Sequence, residues 1–344
     1  MKLKLSLIIA FTLSAISLGA WEFYWRSEGK TPNLDDNKDL WAIQRNKVNK
    51  AASTDLILTG SSRVLFDIQL NEWEKETGIR PIQLATAGAT PLPIFSDIVN
   101  NTEFSGTILV GVTPPLFFST TFPKADPWER AQSRIDYFYK RTYAQRINNL
   151  ISIPLQQNLA LISTSEEKWN DNIDLKTLIN NVKIGNRAPE GMPPFYRFDD
   201  MAFDRNVEMT ERTVNDTAFA NTIKRVWGFL GKTAPPPDKA STMAFFIKDA
   251  KKFMDRGGNL ILLRCPSTGG FRMGENMGMP RTEFWDKLSS SLDVPSYHFE
   301  DYDQFKNLEC PEWSHLSAKD ARFFTTELVK IMKTDGALSN TKTN

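Results

Sequence analysis

The sequence predicts an α/β protein: a three-layer, doubly wound sandwich around a mainly parallel, five-stranded sheet, with an N-terminal membrane helix and a large helical insertion. Three observations predict it. Short, almost wholly apolar runs alternate with helix-period segments in both the N-terminal and C-terminal parts of the chain, and strands covered on both faces by helices read this way. An uncharged apolar stretch stands at the start. A long segment rich in Arg, Asn and aromatic residues, about 119–237, interrupts the alternation.

Residues 1–26 form the first element. Lys2 and Lys4 precede a charge-free run from Leu5 to Ala20; Trp21, Phe23, Tyr24 and Trp25 follow, interrupted by Glu22, and Arg26 ends it. Leu5 to Trp25 is about 20 residues, enough to cross roughly 30 Å of hydrocarbon. Basic residues ahead of the run keep the N-terminus cytoplasmic, and the aromatic cluster suits the far interface. A cleaved signal peptide, with Ser17, Gly19 and Ala20 near the cut, is the competing reading. The aromatic belt continuing the run favours an uncleaved anchor. Both readings place the bulk of the chain outside the cytoplasm, in the periplasm or at the cell surface.

Residues 27–50 read as a polar linker leading into a helix near Leu40 to Lys50. The α/β domain then extends over 51–335. Asp55–Thr59 (DLILT) is the first strand, stopped by Gly60, and Gln69–Thr77 a helix ended by Gly78. Pro81–Ala85 (PIQLA) is the second strand, Pro93–Asn100 a helix, and Thr107–Val112 (TILVGV) the third strand. Inside the insertion, Arg130–Ile151 and Glu211–Leu230 have helical periodicity, with a loop at Pro193–Pro194. The alternation resumes with a helix at Lys239–Asp255, a strand at Asn259–Arg264 (NLILLR), a helix at Arg281–Leu292, a strand at Val294–Phe299 and a helix at Ala318–Lys333. Ser317 is its expected N-cap, with Asp320 three residues on. Residues 336–344 are expected to be a disordered tail.

Composition narrows the function classes. Lys and Arg number 42 against 41 Asp and Glu, so the charge balance makes no case for nucleic acid, which needs a concentrated basic surface. The 23 Phe and 9 Trp supply the apolar area that a disordered chain lacks. No metal-ligand cluster or organic-cofactor motif is present, so no cofactor is expected. A phosphate-binding, flavodoxin-like module is disfavoured, because no glycine-rich cradle opens a helix.

Open parallel sheets collect functional groups in the loops beyond their strands' carboxyl ends. The first such loop is Gly60-Ser61-Ser62-Arg63, where a serine hydroxyl is exposed and its N–H can face a reacting oxygen. The second holds Gly88, whose missing side chain lets an N–H approach a substrate closely. The third is Gly111-Val112-Thr113-Pro114. Far downstream lies Pro311-Glu312-Trp313-Ser314-His315-Leu316-Ser317, with a carboxylate three residues before a histidine. In a tight loop that carboxylate accepts from one ring nitrogen and leaves the other to take a serine proton. Singly, Ser61 and Ser62 read as caps of the next turn and His315 as a surface histidine near the last helix. Together, around one sheet, they favour a shared site. His298 lies on a short strand and reads as structural.

GSS after the first strand, Gly88 after the second, Gly111 after the third and ExxHLS before the last helix together resemble the SGNH/GDSL hydrolase superfamily. The resemblance covers about residues 51–118 and 240–335 and leaves the insertion unexplained. It implies Ser62 as nucleophile, His315 as general base, Glu312 as orienting carboxylate, and the N–H groups of Ser62 and Gly88 as the oxyanion site. The combination of an anchor with a GSSR block resembles the branch that works beside membrane-bound O-acyltransferases on cell-surface polymers. It implies an extracytoplasmic serine esterase or O-acyltransferase acting on an acylated polysaccharide, with a membrane-bound O-acyltransferase as candidate partner. Two positions depart from the pattern. Glu312 replaces the usual aspartate and is one methylene longer. Thr113 replaces an asparagine that donates to the oxyanion, and loss of such a donor costs about 3 kcal/mol. These departures support the alternative, a catalytically inactive binding or assembly protein of a polysaccharide-modification system. Arg63 is placed to hold a carboxylate or acyl oxygen if Ser62 reacts; a surface salt bridge is the commoner outcome for such a residue.

Cys265 and Cys310 are the two cysteines. In an oxidising compartment they can pair, closing a loop worth roughly 4 kcal/mol and pinning the segment that carries Glu312 and His315. Two separate buried thiols are the other reading.

Overall fold

The structure is a computed structural model and describes residues 2–119, 124–162, 193–234 and 236–338. A five-stranded, all-parallel sheet organises it. Its strands are β1 (Leu56–Thr59), β2 (Ile82–Gln83), β3 (Thr107–Gly111), β6 (Asn259–Arg264) and β7 (Ser296–His298), in the order β2-β1-β3-β6-β7. A separate antiparallel hairpin joins β4 (Asp199–Met201) to β5 (Val207–Met209). All five strands predicted from the apolar runs are present, with ends shifted by a few residues.

Side chains alternate across a strand, and here the two faces feed two cores. Leu56, Leu58, Leu109, Ile261 and Leu263 pack with residues of the helices Ser62–Asp67, Leu70–Thr77 and Ala318–Thr334. Ile57, Ile108, Val110, Leu260 and Leu262 pack with those of Lys38–Val48, Leu92–Asn101 and Lys239–Asp255. Helices on both faces of a parallel sheet make three layers. Burying each of these strand side chains contributes about 1.5–3 kcal/mol relative to exposure.

Local signals explain most helix boundaries. Gly78 ends Leu70–Thr77 at φ 71°, a left-handed cap that glycine adopts without a Cβ clash. Ser317 Oγ accepts the Asp320 N–H at 3.1 Å, so the predicted N-cap forms. The N-terminal helix runs from Lys2 to Ser27; its stretch Leu3–Ser27 is long and apolar enough to cross a membrane, and none of its most apolar window is buried against the protein.

The insertion and chain ends differ from expectation. The single helix expected over Arg130–Ile151 is two, Asp126–Lys140 and Tyr143–Asn158, because Thr142 and Gln145 form a reciprocal capping box that starts a new helix. The helix expected over Glu211–Leu230 is likewise split: Asp216 caps Thr217–Thr233 by accepting the Phe219 N–H. The hairpin and the helix Gly269–Gly278 were not foreseen; the latter's glycine content hides its periodicity. Residues 27–37 are not a free linker. Asn33 Nδ2 donates to the Asp199 carbonyl at 2.8 Å, and Asp36 pairs with Arg134 and Arg205. The chain end is ordered further than expected, since Ala337 and Leu338 are buried in the core; residues 339–344 of the expected tail lie outside the described residues, as do residues 163–192 of the insertion.

Candidate active site

The chain leaves β1 for β2 on one side and later places β3 on the other, so the sheet reverses its winding between β1 and β3. Crevices for ligands open at such a point, beyond the strand carboxyl ends. Two glycines shape it. A Cβ on Gly60 would lie 2.7 Å from Val64 Cγ2, and one on Gly111 would lie 2.0 Å from the same atom. Only bare backbone at these positions lets the helix Ser62–Asp67 seat directly on the ends of β1 and β3.

The two serines divide the work. Ser61 is the N-cap: its Oγ accepts the Arg63 N–H at 3.3 Å and shares a hydrogen bond with Thr113 Oγ1 at 2.7 Å. Ser62 opens the helix, is half-buried, and its hydroxyl has no hydrogen-bond partner among the described residues. Thr113 therefore braces the loop that presents Ser62. Gly88 adopts φ 65° in a half-buried turn tied to β1 through the Thr86 N–H, which donates to the Gly60 carbonyl at 2.9 Å.

The loop before the last helix wraps a carboxylate around a histidine. Glu312 Oε1 accepts from His315 Nδ1 at 2.9 Å, from the His315 amide at 2.6 Å and from the Ser314 amide at 3.2 Å. Glu312 Oε2 accepts from the indole N–H of Trp227. Trp313, between them, takes φ 80°, which folds the chain back on itself. Its ring lies where Cβ atoms on Gly269 and Gly270 would stand, at 2.3 and 3.0 Å, so those glycines make room for the turn. The glutamate's extra methylene is absorbed by this curl. Burial pushes the Glu312 carboxyl up, but the His315 charge and the hydrogen bonds from His315 and Trp227 outweigh it and hold it below the usual carboxylate range. A carboxylate acceptor at Nδ1 holds a proton on that nitrogen and turns Nε2 away from Glu312.

The two halves meet through the Ser62–Asp67 helix. Phe66, one turn after Ser62 and on the same helix face, stacks on the His315 ring at 4.4 Å between centroids. Asp67 Oδ1 accepts the Leu316 N–H at 3.0 Å. Burial pushes the Asp67 carboxyl well above its usual range, with the Glu312 charge adding to the effect. Arg63 is not at the surface. It is 1% exposed, donates from Nε to Ser314 Oγ at 3.3 Å and pairs with Glu275 at 2.8 Å. Arg63 thus buttresses the histidine loop from inside.

His315 is enclosed. Phe66, Phe198 and Trp227 surround its ring, and Nε2 is buried with no hydrogen-bond partner among the described residues. Phe198 and Trp227 come from the insertion. Asp67, Trp227 and Glu275 escaped the sequence reading. Asp67 alone carried a signal, an acid inside the apolar run Val64–Leu70.

The remaining candidates settle simply. His298 is 2% exposed, and its Nδ1 accepts the Glu300 N–H at 3.2 Å. Burial, with Arg264, Arg281 and Arg272 nearby, lowers its pKa to about 2 and keeps it neutral. The Cys265–Cys310 bridge is not formed: both are free, buried thiols. The segments that carry them are instead stitched by Thr268, whose Oγ1 accepts the Cys310 N–H at 3.2 Å and whose N–H donates to the Trp313 carbonyl at 2.9 Å. Burial pushes both thiols well above their ordinary range, which makes them poor nucleophiles.

No protein-family model matches the chain, and comparison with curated proteins finds no match.

Proposed function

We propose that the protein is a membrane-anchored, extracytoplasmic serine esterase or O-acyltransferase that acts on acyl esters of a cell-surface or exported glycan. The observation that carries this reading is the Glu312–His315 pair, whose unpartnered Nε2 lies against the helix that begins with Ser62. In the proposed reaction Ser62 Oγ attacks the ester carbonyl while its proton passes to Nε2. His315 then returns that proton to the departing sugar oxygen. Water or a second hydroxyl attacks the acyl-serine, gives its proton to Nε2, and regenerates Ser62. The N–H groups of Ser62 and Gly88 take no partner among the described residues and are the proposed donors to the oxyanion. A membrane-bound O-acyltransferase is the proposed partner, supplying the acyl group.

A second reading rests on a specific observation. His315 is 1% exposed, so no substrate reaches Nε2 unless Trp227 and the segment around Phe198 move. A protein that keeps them closed is a binding or assembly protein rather than an enzyme. A fluorophosphonate probe on the full chain separates the two. Covalent labelling that disappears in Ser62→Ala, with the variant still folded, supports chemistry. Absence of labelling in folded protein, or labelling unaffected by Ser62→Ala, rejects Ser62 as nucleophile.

A further inference from the structure

The helix Tyr143–Asn158 is amphipathic in the wrong direction for a soluble protein. Tyr143, Ile147, Leu150, Ile151 and Leu155 recur at helical spacing on its outer face, and Tyr143, Leu150 and Ile151 are 79%, 67% and 59% exposed. Asn149, on the opposite face, is 6% exposed and Ile153 packs against the core. Apolar patches of this kind on a chain surface mark a docking face.

What covers it follows from where the helix ends. Glu22, inside the aromatic belt of the N-terminal helix, accepts the N–H groups of Ala160 at 2.8 Å and Leu161 at 2.9 Å. Arg26 donates to the Asn158 carbonyl at 2.9 Å. These bonds fix the C-terminal end of Tyr143–Asn158 at the level of Glu22 and Arg26, where a spanning helix leaves the hydrocarbon. The helix carries one arginine, Arg146, and no acidic residue, and Lys140 and Arg141 precede it. An exposed apolar stripe with basic residues and no acid, held at that depth, has the composition of a helix lying in the plane of a bilayer surface.

We propose that Tyr143–Asn158 is an interfacial membrane helix that seats its apolar face in the headgroup and upper acyl region of the bilayer crossed by the N-terminal helix. The inference rests on the membrane-anchor reading and adds a second, independent contact, which fixes how the domain is oriented on the lipid surface. It does not depend on whether Ser62 reacts.

The test uses the full chain in lipid nanodiscs that hold one copy and no other protein. A polarity-sensitive fluorophore is attached to Leu150→Cys, to Leu13→Cys within the anchor, or to Lys287→Cys, an exposed position of the helix Trp285–Ser290; the native thiols are buried and do not compete. Lipids bearing a nitroxide high on the acyl chain serve as quencher. Blue-shifted emission lost on adding the nitroxide lipid at positions 150 and 13, but not at 287, supports the proposal. Quenching at 13 with water-like emission at 150 overturns it while the anchor stands, and assigns the face to a protein partner or a second copy. Water-like emission at both positions overturns the anchor reading and the proposal with it.

Discussion

Replacing Glu312 by glutamine probes the site where its geometry is least forgiving. Four donors converge on this carboxylate: the His315 ring and amide, the Ser314 amide and the Trp227 indole. Glutamine has the same outline but one accepting atom instead of two. If its oxygen stays with His315, its NH2 confronts the Trp227 N–H, two donors face to face. If the amide turns over, its NH2 faces the Ser314 and His315 backbone N–H groups, which lose their acceptor, and His315 Nδ1, which can accept only if the ring carries its proton on Nε2. Glu312 is 0% exposed, so water relieves neither conflict. Stranding one buried donor costs about 1–3 kcal/mol, and the charge-assisted bond it replaces contributes about 1.5–3 kcal/mol. The expected loss of stability is about 3 kcal/mol by those figures. If Ser62 is the nucleophile, its acylation slows by up to about 10⁴-fold, the effect of amidating the orienting carboxylate in a Ser-His-Asp triad.

The chain's two histidines make the tautomer directly observable. His298 accepts at Nδ1 and so carries its proton on Nε2, whereas His315 donates from Nδ1. Histidine-selective nitrogen-15 NMR is therefore expected to show a proton on His315 Nδ1 and, on His298, on Nε2 in the native protein. Glu312→Gln converts the His315 signals and leaves those of His298 in place, or shifts the unfolding midpoint downwards if the Trp227 conflict is taken instead. Two histidines of the same tautomer in the native protein, or a variant with native stability and native spectra, refutes the reasoning.

The remaining predictions concern the surroundings. Asp36, bonded to Arg134 and Arg205, has its carboxyl held down at about 2, because the two guanidinium charges outweigh the cost of burial. A depressed acid stabilises the fold above its unfolded pKa and loses that contribution as pH falls through the folded value. Asp36→Asn is expected to cost about 2 kcal/mol at pH 7, and the difference from the native protein in chemical denaturation shrinks between pH 4 and pH 2; a constant difference contradicts it. Trp227→Phe removes a bond that lowers the Glu312 pKa and keeps the aromatic packing. The acid limb of fluorophosphonate labelling is expected to move to higher pH, with about 2 kcal/mol lost from stability; an unmoved limb shows that the indole does not tune the pair.

The sheet was legible because its strands are short and apolar on both sides, a pattern that only a buried parallel sheet makes economical. The Ser62 and Glu312–His315 segments were legible because each follows or precedes an identifiable element. What escaped depends on contacts distant in sequence. Arg63 reads as a surface cation until Glu275 is placed beside it from the Gly269–Gly278 helix, 212 residues later. Trp227 reads as one more aromatic in a helical stripe until its N–H is found on Glu312. The split at Thr142 was written in the sequence as Thr-x-x-Gln, but the helical periodicity on either side concealed it.

The insertion, which the fold class does not require, ties the N-terminal helix to the Ser62 segment. Leaving the N-terminal helix, the chain binds the β4–β5 hairpin through Asn33 and through the Asp36–Arg205 pair. The hairpin region in turn holds the chain just beyond the helix Ser62–Asp67: Asn206 Oδ1 accepts the Leu70 N–H at 2.7 Å, and Gln69 donates to the Val207 carbonyl at 2.6 Å. Every link in that path is a hydrogen bond or ion pair with at least one buried partner, not a flexible tether. Folding therefore fixes the helix that begins with Ser62 relative to the end of the N-terminal helix.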